Sequence, residues 1–312
     1  MKDGALGSRI HNRADQRPTT IDRRREHPSK IRISLLHLPL GLLVALTFYP
    51  FVFLLQTSLK DNPQFFHDFW GLRPPYHWSN YADAWAAIRH YIGNTIVVTA
   101  CTVLGTLAVA SLSAYTFARH RFPGRDVLFY AILSLMMVPG VLTLISAFMW
   151  MKQFPLAGGN DVWGNGGKGL LDSHLALILP GISGGQVFAI FVLRSFIASL
   201  PEELFEAARM DGASEWLLFS RIAIPLSRPI LGTVAIMGAL STWNDYVWPY
   251  IVLSDDSKKT LSVGLAFFRG AYATTYGPLM AGYVLASLPL LVLFLLMMRT
   301  FIAGLTSGAL KG

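Results

Sequence analysis

The chain has 312 residues, of which 53% are hydrophobic and only 14% are charged. Soluble domains average about 25% charged residues, so this composition excludes an ordinary soluble protein and indicates one polytopic membrane domain. Cys101 is the only cysteine, which excludes a disulfide framework within the chain and a cysteine-based metal site.

The first 33 residues are polar and basic and include the run DRRREHPSK. Because so few of them could enter a core, we predict a disordered tail over residues 1–33 and a transmembrane domain over residues 34–312. The charged region is too long for a signal peptide, and no cleavage site of small residues follows the first apolar run.

Six apolar segments follow the tail, each close to the roughly 20 residues that cross a bilayer core. A chain in lipid must satisfy its own backbone hydrogen bonds, so each segment is predicted to be a helix. The predicted fold class is therefore an all-α membrane protein with six transmembrane helices. The spans are 35–59, 94–118, 127–151, 175–198, 229–253 and 279–303.

The positions of Lys and Arg predict the orientation of these spans. With the N-terminus inside, 18 of the 26 Lys and Arg residues lie on the cytoplasmic side and eight on the other side. Both termini are therefore predicted to be cytoplasmic. Because this bias accounts for the net charge of +8, we expect membrane lipid and no nucleic acid as a partner.

The external loops carry two features of note. Residues 60–93 are rich in aromatic side chains and could form a partner surface, and residues 158–169 form a Gly-rich insert. Within the insert, GNGGKGLL resembles a phosphate-binding loop only faintly. Val162 stands where that motif needs its first glycine, and Gly169 stands where it needs Ser or Thr. We therefore expect no nucleotide site and no cofactor in this chain.

The stretch from Gly181 to Gly185 satisfies the G-x-S-x-G pattern of serine hydrolases. A serine nucleophile needs a base, and no histidine follows His174. The favoured interpretation is a membrane helix loosened by glycines next to Pro180, and an intramembrane serine hydrolase is the disfavoured alternative.

Residues 199–228 form a polar, amphipathic segment between two apolar spans, on the predicted cytoplasmic side. Ser199 and Glu202 predict a capping box, followed by a helix that runs to Asp211. Gly212 predicts a left-handed helix stop, and a second helix is expected to end before Pro225. Helices that lie on lipid favour Lys and Arg on the polar face, whereas acidic residues dominate here, so the segment favours a protein partner.

The spacing within this segment resembles the EAA loop of ABC importer permeases. Glu206-Ala207-Ala208 is followed by Gly212 after three residues, by Ile222 after nine more, and then by Ile224-Pro225. Isoleucine precedes the final proline, where the family usually has leucine. The stretch Thr242-Trp243-Asn244-Asp245 and the ending GLTSGALKG also resemble the MalG-like permeases of carbohydrate importers.

The resemblance implies a type I ABC importer permease (MetI-like) fold in the plasma (inner) membrane of a prokaryote. It also implies three kinds of partner: a second, MalF-like permease, two copies of an ABC ATPase that carry Mg-ATP, and an extracytoplasmic sugar-binding protein. The EAA loop would then be the coupling helix that docks in the ATPase. The residues carried over to that role are Glu206, Ala207, Ala208, Asp211, Gly212, Ile222 and Pro225.

Asp245 is the only acidic residue that we place well inside a predicted span. An aspartate at that depth costs roughly 2.5–3.5 kcal/mol on insertion scales, so it is expected to face the bundle interior. Together with Trp243, Asn244 and Tyr246 it offers the aromatic faces and polar groups that suit a sugar pathway. The alternative is structural: Asn244 and Asp245 tie helices together or cap a helix kinked at Pro249.

The sequence thus predicts a permease subunit, not an enzyme, that forms half of the pathway of an ATP-driven sugar importer. A polyol or glycerol phosphate remains open as the substrate. An ion-coupled secondary transporter would need internal repeats with broken helices in matching positions, and no clear repeat is present.

Overall fold

The computed structural model describes the backbone of residues 30–309 and the side chains of residues 37–298. The chain divides into two compact units, residues 1–50 and 51–312. Most of the predicted tail lies outside the described residues. Its last four residues belong to the first helix, so the helix begins earlier than the predicted span.

The described residues form thirteen α-helices joined by loops and short turns of other helix types. In chain order they are α1 (Lys30–Ser58), α2 (Asn62–His67), α3 (Ser79–Arg119), α4 (Arg125–Ser134), α5 (Gly140–Lys152), α6 (Leu175–Ala198), α7 (Glu202–Met210), α8 (Glu215–Leu217), α9 (Ile224–Leu226), α10 (Arg228–Asn244), α11 (Val247–Val252), α12 (Leu261–Ala271) and α13 (Tyr276–Ala309).

Stretches of α1, α3, α6 and α13 are each long and apolar enough to cross a membrane. Two further pairs of helices are each bent at a short break, and counting each pair as one span gives six spans. The predicted third span is one of these pairs: α4, with the 3₁₀ turn that follows it, meets α5 at a bend of 101°. Pro139 lies at this break and has no backbone N–H for a continuing helix. The all-helical fold class is confirmed.

The predicted fifth span, residues 229–253, is not one helix. α10 ends at Asn244, and the short helix α11 begins at Val247. The second bent pair instead joins the helical stretch 215–226 to α10 at 74°. The predicted span therefore contains a break at Asp245 and Tyr246, in the stretch that was assigned to the pathway.

Helix α3 is longer than the predicted span 94–118 because its first turns lie on other helices. Ala84 and Ile88 are fully buried, and Tyr91 is almost so, in a cluster that includes residues of α12 and α13. This burial stabilises a helix that begins at Ser79, in a stretch that hydropathy alone assigns to a loop.

Glycines allow helices α3 and α6 to pack closely against each other. A Cβ on Gly181 would lie 2.7 Å from Thr102 Cγ2, and one on Gly185 would lie 3.0 Å from Thr106 Oγ1. On the other helix, a Cβ on Gly105 would overlap Ile182. The G-x-S-x-G stretch is therefore used for helix packing, as small residues commonly are in membrane bundles.

The Gly-rich insert is held in shape by its own polar side chains. Asn160 donates to the carbonyls of Lys152 (2.8 Å) and Phe154 (2.9 Å), and its oxygen accepts from the amide of Gly167 (2.8 Å). The Asp161 carboxylate accepts from two amides further along the insert. The insert is thus an ordered loop rather than the flexible excursion that its composition suggests.

Asp172 ties this insert to the loop after α11. Its carboxylate accepts from the amide of Asp255 (2.9 Å) and from Lys258 Nζ (3.0 Å), and Lys168 Nζ lies 3.3 Å away. Burial opposes ionisation here, but these donors outweigh it and hold the pKa of the Asp172 carboxyl well below its usual range.

Candidate functional site

The EAA segment (residues 199–228) folds as a helix, a glycine bend and a second helical stretch, and its first helix begins differently from the prediction. Pro201 occupies the N-cap of α7, and no side chain caps it. The Ser199 hydroxyl donates to the Phe196 carbonyl (2.8 Å) at the end of α6, so the predicted capping box is wrong. The Glu202 carboxylate is engaged by Arg119 and Arg209 instead.

The predicted helix stop at Gly212 is present. Gly212 has φ = 81°, in the left-handed region. Its amide donates to the Arg209 carbonyl (3.0 Å), and the amide of Ala213 donates to the Ala208 carbonyl (2.9 Å). These two bonds form a Schellman motif, which satisfies the last carbonyls of α7 and fixes the direction in which the chain leaves it.

The second helical stretch runs further than predicted, to Leu226 rather than to a residue before Pro225. Ser214 caps it by accepting from the amide of Leu217 (3.4 Å). Residues 218–223 form a π-helical turn directly before α9. Because Pro225 lies in the first turn of α9, the missing proline N–H breaks no hydrogen bond within that helix, and the stretch continues.

Arg119, the last residue of α3, fastens α7 to the transmembrane helices. Its Nη2 donates to the carbonyls of Ile197 (2.7 Å) and Leu200 (2.8 Å), and its Nη1 pairs with Glu202. The guanidinium also lies 4.0 Å from the centre of the fully buried Phe205 ring. One side chain, only 5% exposed, therefore joins α3, the end of α6 and α7.

Glu215, at the start of α8, forms a second junction that connects α8 with α3 and α7. It accepts from the Tyr115 hydroxyl of α3 (2.9 Å), and Arg209 Nε lies 3.5 Å away. His120 Nε2 is also 3.5 Å from this carboxylate. The two helical parts of the EAA segment are thus linked to each other and to α3 by charged groups.

The seven predicted coupling residues divide into two groups by exposure. Glu206, Ala207, Asp211 and Gly212 are exposed, whereas Ala208, Ile222 and Pro225 are partly buried. The exposed group lies beside exposed apolar side chains that the pattern did not single out: Met210 (89% exposed), Trp216 (66%) and Leu204 (45%). The outer face is thus apolar and acidic, a combination suited to a protein partner.

A cavity of about 670 Å³ lies among α3, α6, α10 and α11. Of the four residues assigned to a pathway, Asn244 and Asp245 line this cavity, and Trp243 and Tyr246 do not. The other lining residues come from several parts of the chain, and about half of them are glycine or carry a hydroxyl group. They include Thr102, Thr106, Gly181, Gly184, Ser241, Thr242 and Thr260.

Trp243 and Tyr246 are placed elsewhere by packing. Trp243 is 9% exposed in the core cluster that contains Ile88, and its carbonyl accepts from the Ser262 hydroxyl (2.7 Å). Tyr246 stacks on Tyr250, with 5.4 Å between ring centres. Neither side chain is among the residues that line the cavity.

Asp245 contacts both α11 and the cavity. Its carboxylate accepts from the amide of Trp248 (3.4 Å) in the first turn of α11, and the same side chain lines the cavity. The Trp248 indole in turn donates to the Ala176 carbonyl of α6 (2.8 Å). The side-chain amide of Asn244 donates to the Leu240 carbonyl (2.8 Å), within its own helix.

A membrane bundle of helices with an internal cavity and an exposed amphipathic segment defines the class of this chain as a transport permease. Residues 85–306 match the family described as binding-protein-dependent transport system inner membrane component, so the chain belongs to that family. The resemblance to ABC importer permeases is confirmed. Among the described residues, no group of three or more His, Cys, Asp and Glu side chains could hold a metal ion.

In the curated relatives described next, about a third of the aligned residues are identical to those of this chain. The probable ABC transporter permease protein YurM of Bacillus subtilis is 32% identical, covering 85% of this chain and 84% of YurM. The arabinooligosaccharides transport system permease protein AraQ of the same species is 36% identical, covering 70% and 72%. The melibiose/raffinose/stachyose import permease protein MelC is 31% identical, covering 85% and 92%.

A solved bacterial ABC transporter that imports the acidic polysaccharide alginate contains a chain with the same fold. The TM-score is 0.71 at 22% sequence identity, covering 87% of this chain and 96% of the other. This likeness supports the MetI-like fold and carries no information about the substrate of this chain.

Proposed function

We propose that this chain is one permease subunit of a prokaryotic, ATP-driven sugar importer and forms half of its translocation pathway. Its partners in the proposal are a second permease, two ABC ATPases that bind Mg-ATP, and an extracytoplasmic sugar-binding protein. Relatives named for arabinooligosaccharide and for melibiose, raffinose and stachyose transport support a sugar as the substrate. The chain itself is proposed to carry out no chemistry.

The observation that carries the proposal is the linkage of α7 to two long helices. The outer face of α7 is exposed, whereas its inner face is fixed through Phe205 and Arg119 to the ends of α3 and α6. A partner that moves α7 would therefore move the helices that line the cavity. Rigid elements of this kind convert a local displacement into a change of access.

The orientation proposed from the Lys and Arg bias places the EAA segment in the cytoplasm, where an ATPase has access to it. The cavity then lies on the proposed route between the two sides of the membrane. This arrangement gives each predicted group of residues one role: Glu206, Ala207, Asp211 and Gly212 face the ATPase, and Asn244 and Asp245 face the solute.

The proposal is tested by charge reversal at the exposed face of α7. Glu206→Lys, expressed with the other importer subunits, should lose copurification of the ATPase and lose uptake while the chain still accumulates in the membrane. Asp83→Lys makes the same change at an exposed site near the opposite end of α3 and is the matched control. Unchanged ATPase copurification and uptake in Glu206→Lys would contradict the coupling role.

A further inference from the structure

The cavity contains one ionisable side chain. Of its lining residues, all within the described part of the chain, only Asp245 is ionisable. The rest are apolar, glycine or neutral and polar. The neutral polar members are Thr102, Thr106, Ser241, Thr242, Asn244 and Thr260.

Two of these hydroxyl groups are buried and have no hydrogen-bond partner within the protein. Thr102 Oγ1 and Thr260 Oγ1 make no bond, and the two residues are 4% and 3% exposed. A buried hydroxyl needs a partner, so these two groups leave unused hydrogen-bonding capacity among the residues that line the cavity.

The cations next to the cavity are engaged elsewhere. Lys258 and Lys259 directly precede the lining residue Thr260. Lys258 Nζ lies 3.0 Å from the Asp172 carboxylate, and Lys259 Nζ lies 3.3 Å from Asp256 and 3.9 Å from the Phe267 ring centre. An anionic solute in the cavity would therefore meet a carboxylate and no free ammonium group from these two lysines.

Two arginines, near the ends of the lining helices α3 and α6, are engaged as well. Arg119 bonds to two carbonyls, as described above. Arg194 of α6 lies over the Phe129 ring, 3.9 Å from its centre, with Nη2 3.8 Å from the Asp126 carboxylate. Neither arginine lines the cavity.

From this arrangement we infer that Asp245 is a specificity-determining residue, and that this half of the pathway accepts neutral polyhydroxylated solutes and excludes anionic ones. The inference rests on the proposed function, because it takes the cavity as part of the solute route. Moving an anion from water to a site beside a carboxylate costs free energy, and the lining contains no cation to offset this cost. Sugars and polyols are thus favoured over glycerol phosphate and over uronic-acid oligosaccharides.

A thiol placed in the cavity measures this selectivity without knowledge of the substrate. Ser241 lines the cavity one helical turn before Asp245, so Ser241→Cys in a Cys101→Ala chain provides a single reactive group. In the assembled importer, its reaction rates with hydroxyethyl, sulfonatoethyl and aminoethyl methanethiosulfonate are compared, each divided by the rate with a free thiol in solution. The three reagents differ mainly in charge.

We expect the anionic reagent to react about tenfold more slowly than the neutral one, and the cationic reagent to react faster, as one nearby charge in a partly hydrated site would cause. Asp245→Asn keeps a side-chain oxygen for the Trp248 amide and should remove most of this difference. Thr274→Cys, at an exposed loop position outside the cavity, is the control and should not respond to Asp245→Asn.

Equal rates for the anionic and neutral reagents, or a rate difference that survives Asp245→Asn, would overturn the inference. Failure of the neutral reagent to react would show a cavity closed to solutes and would also overturn it. The copurification test at Glu206 is independent of these rates, so failure of the proposed function would be recognised separately.

Discussion

The two halves of helix α3 are both held by polar or charged side chains, but these side chains bond to different parts of the molecule. At the Arg119 end, charged groups join α3 to the carbonyl end of α6 and to a short helix whose outer face is exposed. In the half of α3 that begins at Ser79, the Tyr91 hydroxyl donates to Asp256 (2.9 Å), and the Asn94 amide donates to the Lys259 carbonyl (3.0 Å). The first end joins helices to an exposed element, whereas the second fixes the shape of loops.

This difference separates parts that transmit motion from parts that maintain a surface. An element that transmits motion needs a rigid connection to the helices and an open face for a partner. The loops joined by Asp172, Asp255 and Lys258 are called the loop platform. They need only bonds among themselves, such as those of Asp172 to Asp255 and Lys258. Changes at the two ends should therefore affect different properties.

The largest effect is expected for Arg119→Ala, which removes the junction at the EAA segment. Two carbonyls and the half-exposed Glu202 carboxylate would lose their partner, and a hydrogen bond to a charged group is worth about 1.5–3 kcal/mol. We expect a lower melting temperature and loss of uptake. Thermal unfolding and uptake are measured on the same reconstituted complex.

Arg119→Lys sharpens this result, because lysine keeps the charge but cannot reach several acceptors with a planar fork. It should recover part of the stability and little of the uptake. Normal uptake in Arg119→Ala would show that motion reaches α3 and α6 by another route.

A smaller effect on stability is expected for Asp172→Asn at the loop platform. The change removes charge-assisted bonds to Lys258 and Lys168, which is expected to cost about 1.5 kcal/mol. Uptake per folded complex should stay close to normal, because the junction at the EAA segment is intact. A loss of uptake larger than the loss of folded protein would contradict the division between the two ends.

The same residue predicts a pH dependence. Because the folded state lowers the pKa of Asp172, its stabilisation is fully present above the unfolded pKa of about 3.9 and is lost as the pH falls through the lower folded pKa. The difference in melting temperature between wild type and Asp172→Asn should therefore shrink below about pH 4. A difference that grows on acidification would contradict this assignment.

A still smaller loss of stability is expected for Gly212→Ala. Alanine at φ = 81° costs about 1 kcal/mol, which would loosen the turn between α7 and α8. ATPase stimulation by the binding protein should weaken more than basal ATPase activity does. Gly270→Ala, at a helical glycine with open space around its Cβ position, is the matched control.

The smallest effect on stability is expected for Glu206→Lys. An exposed substitution of this kind changes the free energy of unfolding by no more than about 0.5 kcal/mol. Its loss of ATPase binding should therefore occur in a protein with an unchanged melting temperature. A melting temperature that falls as far as that of Arg119→Ala would place Glu206 among the structural residues.

Hydropathy predicted the apolar segments because the requirement for about 20 apolar residues is local. The breaks at Pro139 and Asp245 were harder to predict, since proline is tolerated in membrane helices and only packing decides whether the chain bends there. The stop at Gly212 was predicted correctly because a positive φ is a property of one residue. The limits of the tail and of the transmembrane domain stay predictions.

The residues missed by sequence reasoning act through distant partners. The carbonyls that Arg119 binds lie 78 and 81 residues further along the chain, and no local pattern specifies them. The capping box was wrong for the same reason, because Arg119 engages the carboxylate that would have formed it. The only local signal was a single arginine at the end of a long apolar helix. That Trp243 is buried in the core and does not line the cavity could not be predicted either, because its neighbours in sequence do not decide which side of the helix is the core.

Helix α3 has 41 residues, which corresponds to a length of about 60 Å. Its close contact with α6 through glycines leaves little space for one helix to slide along the other. A tilt of about 5° at one end of a rod this long displaces the opposite end by roughly 5 Å. The parts of the molecule around the two ends of α3 are thereby connected by a single continuous helix, so a tilt at Arg119 would change the spacing between this helix and the loops bonded to Tyr91 and Asn94.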